Sequence, residues 1–161
     1  MDADQLRGLL IYEPDTGVFR NRVQRGNRGN IGEITGCPSG DGRKQIRING
    51  KVYRTYRLAW LYMTGEWPKG EIDHKDRDPG NDRWENLRKA TRVENMRNAR
   101  ILKNTSSGLK GVSFITARGK WRAEIRVGSK AHHLGYFLNR EEAHAAYMQA
   151  ADRLFGEFAA K

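Results

Sequence analysis

Asp73 and His74 stand side by side at the head of the segment "EIDHKDRDPGNDRWENLRKATRVENMRNAR" (residues 71–100), and Asn81, Asn86, Asn95 and Asn98 follow them. These residue types suit phosphodiester hydrolysis. That reaction needs an activated water, a cation to offset charge on the phosphorane-like transition state, and some stabilisation of the leaving 3′ oxygen. A neutral imidazole can take a proton from water. A carboxylate and an amide oxygen can hold Mg²⁺, which prefers hard oxygen ligands and keeps several waters of its own. His74 is therefore the candidate base, with Asp73 and Asn95 the candidate oxygen ligands. An Asp-His pair alone among charges is ordinarily a solvated loop. The spacing of Asn86, Thr91, Glu94 and Asn95 behind it lifts this pair above that reading. Asn81 fits a turn after Pro79-Gly80, and Asn98 is open between solvent, DNA and the metal.

Positioning such groups takes a strand, a loop and a helix. "EIDH" reads as a short strand and residues 75–86 as a loop. "TRVENMRNARILKN" carries a capping box, in which Thr91 bonds the amide of Glu94 and Glu94 reaches back to Thr91. The helix thus starts at Thr91 and holds Asn95 in its first turns, with Asn98 and Leu102 on a neighbouring strip. Neighbours on a strand point to opposite sides, so Asp73 and His74 share a site only if the strand end twists or a helix closes over it. The helix bearing Asn95 is placed to do this. Upstream, "DADQLRGLLIY" is a helix candidate, "EPDTG" a turn and "VFRNRV" strand-like, while Gly and Arg make residues 25–44 a loop. "KQIRINGKVYRTYRL" is a hairpin turning at Asn49-Gly50, and "YRLAWLYMTG" a short buried helix stopped at Gly65.

The chain has 161 residues, room for one ordinary domain or, better, two modest cores, since single cores run to about 100 to 150 residues. Lys plus Arg number 30 against 19 Asp plus Glu, a formal charge of +11 that attracts polyanions. Nucleic acid is the first partner to consider. No apolar stretch approaches the roughly 20 residues needed to cross a bilayer. The start "MDADQLRGLL" has no basic stretch leading into an apolar one, so a soluble, cytoplasmic protein with no membrane partner is expected. Cys37 stands alone, which excludes an internal disulfide and a cysteine-clustered zinc site and leaves no disulfide partner expected.

The stretch "YRLAWLYMTGEWPKGEIDHKDRDPGNDRWENLRKATRVENMRN" resembles the HNH endonuclease motif, in the phage and homing-type branch that ends in asparagine. The resemblance covers about a quarter of the chain. It implies a ββα-metal fold with one divalent ion, Mg²⁺ or Mn²⁺, between a hairpin and a helix. It implies His74 as general base, and Asp73 and Asn95 as metal ligands. Asn86, counted with His74 in the catalytic set, is the middle asparagine and ties the loop together. Family members often read His-Arg-Leu where this chain has Tyr56-Arg57-Leu58. Tyr56 can donate a hydrogen bond to a phosphate or water but does not take a proton at neutral pH as imidazole does.

Beyond "NTSSG", where a domain boundary is expected between residues 103 and 104, "GVSFITARGKWRAEIRVGSKAHHLGYF" shows three strands, broken at Arg118-Gly119 and at Gly128-Ser129. In "GKWRAEIRVG" Trp121, Ala123, Ile125 and Val127 alternate with Lys120, Arg122, Glu124 and Arg126. The apolar face should meet the Ala-rich helix at 141–157, whose Ala143, Tyr147, Ala150, Leu154 and Phe158 share one side and whose cap is Asn139. The charged face is left uncovered, with Arg able to read guanine, Glu cytosine, and Lys to hold phosphate. "KGV", "GKWRAEIR", "LGYF" and "EEAHAAYMQAADRLFG" resemble the APETALA or ethylene-response-factor type of DNA-binding domain. The resemblance implies that Lys110, Glu124 and Arg126 lie at DNA contacts, while Ser113 and His133 depart from the plant pattern. His132 and His133 are expected to face DNA or solvent, and no aromatic stacking platform stands out on the exposed face to favour RNA.

Together these readings give an α+β chain: a ββα-metal nuclease domain with an N-terminal β-rich extension at 1–103, and a three-stranded antiparallel sheet packed on one helix at 104–161. The expected function is a DNA endonuclease that nicks double-stranded DNA as a monomer. Arg88, Arg92, Arg97 and Arg100 are expected on the phosphate backbone. The alternative is a DNA-binding protein whose nuclease half has lost catalysis through Tyr56.

Overall fold

The computed structural model describes residues 1–26, 29–98 and 107–159. The chain divides into two compact units, Met1–Asn95 and Met96–Lys161. The boundary expected at 103/104 falls outside the described residues.

The first unit begins with helix α1 (Ala3–Leu9), capped by a reciprocal pair of bonds between Asp2 and Gln5. The helical reading ran to Tyr12, but Leu10–Glu13 forms strand β1 instead, paired antiparallel with β2 (Val18–Asn21). The reason is tertiary. Leu10, Tyr12 and Phe19 enter the core from this hairpin, and the 2-residue spacing of Leu10 and Tyr12 suits a strand. The region read as loop also contributes β3 (Ile34–Thr35), which edges β2, and β4 (Cys37–Pro38), which edges β5 (Lys44–Ile48). Two-residue strands carry no sequence period, so propensity does not reveal them.

Strand β5 turns into β6 (Lys51–Arg54) through Asn49 and Gly50, both at positive φ (48° and 79°), as a two-residue hairpin turn requires. Helix α2 (Thr55–Thr64) follows directly and closes at Gly65 in the left-handed conformation. Leu58, Ala59, Trp60 and Leu61 are buried in a core shared with α1, β1, β2 and β5. Strand β7 (Glu71–His74) lies where expected and pairs antiparallel with β8 (Leu87–Ala90), adding Ile72 and Leu87 to that core. Helix α3 (Arg92–Asn98) begins after the predicted capping box: Thr91 N donates to Glu94 Oε2 at 2.7 Å, and Glu94 N to Thr91 Oγ1 at 3.3 Å.

The second unit contains the expected antiparallel sheet, β9 (Val112–Ile115), β10 (Lys120–Val127) and β11 (Lys130–Phe137), with β10 central. Helix α4 (Arg140–Phe155), capped by Asn139 through the amide of Glu142 at 2.8 Å, packs on it. Ala123 and Ile125 are buried from the sheet and Ala143, Tyr147, Ala150 and Ala151 from the helix. One expected member of the helix stripe is misplaced: Leu154 is 51% exposed. The buried positions run instead through Ala151 and the partly buried Phe155 to Ala159. A step of four residues rotates about 400°, roughly 40° beyond one full turn, so a stripe built from successive steps of four drifts around the helix. The mixed α and β content agrees with the α+β expectation.

Candidate active site

The β7–β8 hairpin sorts the candidate residues by face. Alternation along β7 puts Glu71 and Asp73 on one side and Ile72 and His74 on the other. Arg88 stands directly across from Asp73; its Nε donates to Asp73 Oδ2 at 2.8 Å, and Nη2 completes the ion pair 2.7 Å from the same oxygen. Both side chains are buried, 5% and 10% exposed. Arg88, expected at DNA phosphates, thus meets a carboxylate because antiparallel register places the two side chains together. Two residues earlier on the same face, Glu71 Oε2 accepts a hydrogen bond from Asn95 Nδ2 at 2.5 Å. The first turns of α3 therefore cover the face of the hairpin that carries Asp73, as the position of Asn95 suggested.

His74 goes the other way. Its Nε2 lies 2.8 Å from Asp82 Oδ1, and the Tyr56 ring meets the imidazole edge-on with centroids 5.4 Å apart. Asp73 and His74 thus meet different partners, Arg88 for the carboxylate and Asp82 and Tyr56 for the imidazole. Tyr56 packs against the imidazole from α2, so it borders the candidate base without replacing it.

Asp82 is the residue that sequence reasoning missed. Its side chain is 0% exposed, its Oδ1 meets His74, and its Oδ2 accepts from Thr55 Oγ1 at the first residue of α2. Its carbonyl oxygen accepts from the Tyr12 hydroxyl at 2.6 Å. Burial, and then the nearby Asp82 charge, push the Tyr12 phenol well above its ordinary value. Nothing local marks Asp82, because it is one of several aspartates in "DRDPGND". Only a partner eight residues back in sequence could have singled it out.

Asn86 is bonded across the loop between β7 and β8. Asn86 Nδ2 donates to Asp76 Oδ1 at 2.9 Å and to the Asn81 carbonyl at 2.8 Å, and Asn86 Oδ1 accepts from the Asp76 amide at 3.0 Å. Asn81 Nδ2 also reaches Asp76 Oδ2 at 2.6 Å, so it braces the loop after Pro79-Gly80. Burial acts to raise the Asp76 carboxyl, but hydrogen bonds from the Asp78 amide, Asn81 and Asn86 prevail and hold it below the ordinary aspartate value.

Among the described residues no three His, Cys, Asp or Glu side chains gather closely enough to form a metal cluster. The donors expected here are of another kind, one carboxylate and one amide oxygen. Asn95 spends its Nδ2 on Glu71, which leaves the Oδ1 as its contribution to a cation. Two protein oxygens fit an ion such as Mg²⁺ that retains several waters.

The remaining candidates scatter. Arg92 is exposed, Arg97 lies over the Phe155 ring at 4.3 Å, and Lys110 Nζ donates to the Arg97 carbonyl. Asn98 is buried, and Arg100 lies outside the described residues. On β10, Lys120 and Arg126 are exposed, while Glu124 sits between Arg122 (3.7 Å) and Arg126 (3.9 Å). The charged face also carries an aromatic that sequence reasoning did not see there. Tyr136 pairs across from Arg122, lies 4.5 Å from His133 between ring centroids, and has the Arg118 guanidinium 4.8 Å from its ring. A register shift after Ala123 sets Glu124 opposite His133 and brings these groups to one face.

The HNH endonuclease family matches residues 53–97, from β6 through the hairpin into α3. The chain is 36% identical over 120 residues to Protein 3.8 of Escherichia phage T7, spanning 73% of this chain and 97% of that protein. It is also 36% identical over 112 residues to an uncharacterized HNH endonuclease of Acanthamoeba polyphaga mimivirus, spanning 69% of this chain and 57% of that protein. No solved structure matches.

Proposed function

We propose, from the HNH endonuclease family match at residues 53–97 and the HNH-named viral relative, that the chain is a metal-dependent DNA endonuclease that cuts one strand per event, so that a monomer nicks duplex DNA. The observation that supports this most is the bond from Asn95 to Glu71, two residues before Asp73 on the strand that ends in His74, all within the matched segment. Asp73 and Asn95 would hold one Mg²⁺ or Mn²⁺. When bound, such an ion offsets charge on the scissile phosphate and on the leaving oxygen. His74 takes a proton from the attacking water as the water oxygen bonds phosphorus and the bond to the 3′ oxygen breaks. The leaving 3′ oxygen takes a proton from solvent water, so the products are a 3′ hydroxyl and a 5′ phosphate. Asn86 keeps the loop between the strands in one shape.

The second unit supplies affinity. Its sheet and helix are read as an APETALA-like domain that meets duplex DNA through Lys110, Lys120, Arg122, Glu124 and Arg126, with Arg92, Arg97 and Arg100 on the backbone. The net charge of +11 supports that reading. The phage and viral relatives fit action inside an infected cell.

A second reading is a DNA-binding protein that does not cut. It is favoured by the Asp73–Arg88 pair and by the burial of His74, 6% exposed. Supercoiled plasmid separates the two. With Mg²⁺ or Mn²⁺ the wild type should convert it to open circles, and His74→Ala should slow this by roughly 10²- to 10⁴-fold. Plasmid left supercoiled at concentrations where the protein binds it would select the second reading.

A further inference from the structure

Asp82 lies outside the residues that carry the proposed chemistry, yet three separate parts of the first unit are built onto it. Tyr12 of β1 donates to its carbonyl, Thr55 of α2 to its carboxylate, and His74 of β7 contacts the other carboxylate oxygen. The turn between β1 and β2 is moulded on the same backbone. Trp84 N donates to the Pro14 carbonyl at 2.9 Å, and a Cβ on Gly17 would lie 2.5 Å from the Asp82 carbonyl carbon and the Arg83 nitrogen. A surface loop aspartate needs no such housing. Fully burying a carboxylate is costly unless it is hydrogen-bonded and paired, and here its partners include the candidate base.

We infer that Asp82 is a positioning residue for His74, holding the imidazole with Nε2 as the donor and Nδ1 as the nitrogen that receives the proton of the attacking water. The inference rests on the proposed nuclease reading and deepens it. A carboxylate only accepts hydrogen bonds, so the imidazole nitrogen facing Asp82 Oδ1 carries a hydrogen. In a neutral imidazole the lone pair then sits on Nδ1. Thr55 fixes the carboxylate by its other oxygen, and Tyr56 packs edge-on against the ring, so a turn of the imidazole would disturb contacts on both sides. Once His74 has taken the proton, the Asp82 carboxylate also faces the resulting imidazolium across 2.8 Å. The same division of labour, an acid orienting a histidine that does the proton transfer, is known from serine hydrolases.

Two measurements on the full chain test this. Long-range ¹H–¹⁵N correlation of the histidine rings in wild-type protein should show a hydrogen on Nε2 of His74 and none on Nδ1; the opposite tautomer overturns the inference whether or not the protein cuts DNA. In single-turnover plasmid nicking with Mg²⁺, Asp82→Asn should lower the rate about 10²- to 10⁴-fold while leaving the half-saturating DNA concentration unchanged. In the His74→Ala background the same substitution should change nothing further, since residues acting as a unit are not additive. Losses that multiply instead would make Asp82 a structural residue and sink the inference. Active wild type with Asp82→Asn equally fast removes the inference alone. Wild type that never cuts plasmid removes the nuclease reading beneath it.

Discussion

Asn86 shows how much a single amide can organise. It is buried, and its three hydrogen bonds to Asp76 and Asn81 close the loop that brings Asp82 back beneath His74. Asn86→Ala should cost about 2 kcal/mol, within the range for leaving buried polar groups without partners. A lower urea midpoint with an unchanged slope would register it. Asp76 gives the same loop an acid sensitivity. Its carboxyl titrates below the ordinary aspartate value in the folded state, so the stability it adds is present above pH ~4 and lost as the pH falls through the folded value. Asp76→Asn should flatten that part of the acid-unfolding curve followed by circular dichroism. The Thr91–Glu94 cap was legible in the sequence because it depends on neighbours three residues apart. Arg88 and Asp82 were not, since each is defined by a residue across a strand pair or across a loop.

Among the elements, those with a strong local signal formed where expected: the Asn49-Gly50 hairpin, α2 with its closing glycine, and β7. Those without one did not announce themselves. Strand β8 is "LRKA", short and charged, and becomes a strand by pairing with β7. Strand β1 took the last residues of a helical pattern because a hairpin could bury Leu10 and Tyr12 against Phe19. Two glycines separate local from tertiary demands. Both Gly17 (φ 72°) and Gly50 (φ 79°) require the left-handed region, but a Cβ at Gly50 meets open space, whereas at Gly17 it strikes the Asp82–Arg83 backbone. Gly50→Ala should cost about 1–2 kcal/mol for backbone strain alone. Gly17→Ala should cost more, about 3 kcal/mol or beyond. Paired thermal unfolding of the two variants checks the order, and Gly17→Ala should also slow nicking because it displaces Asp82.

For the whole molecule, a +11 charge predicts affinity that falls steeply with salt. Arg126→Ala, removing an exposed cation from the sheet, should lower the slope of log affinity against log salt by about 1, measured by fluorescence anisotropy on duplex DNA. Charge, the Asp-His pair and the capped asparagine helix were determined by the sequence itself, because composition and short-range spacing encode them. Tertiary structure alone decided that Asp73 pairs with Arg88 and Asn95 with Glu71, while His74 turns to Asp82 and Tyr56. A strand sends adjacent side chains to opposite sides, and which partners wait on each side is set by chain segments that sequence proximity does not reveal.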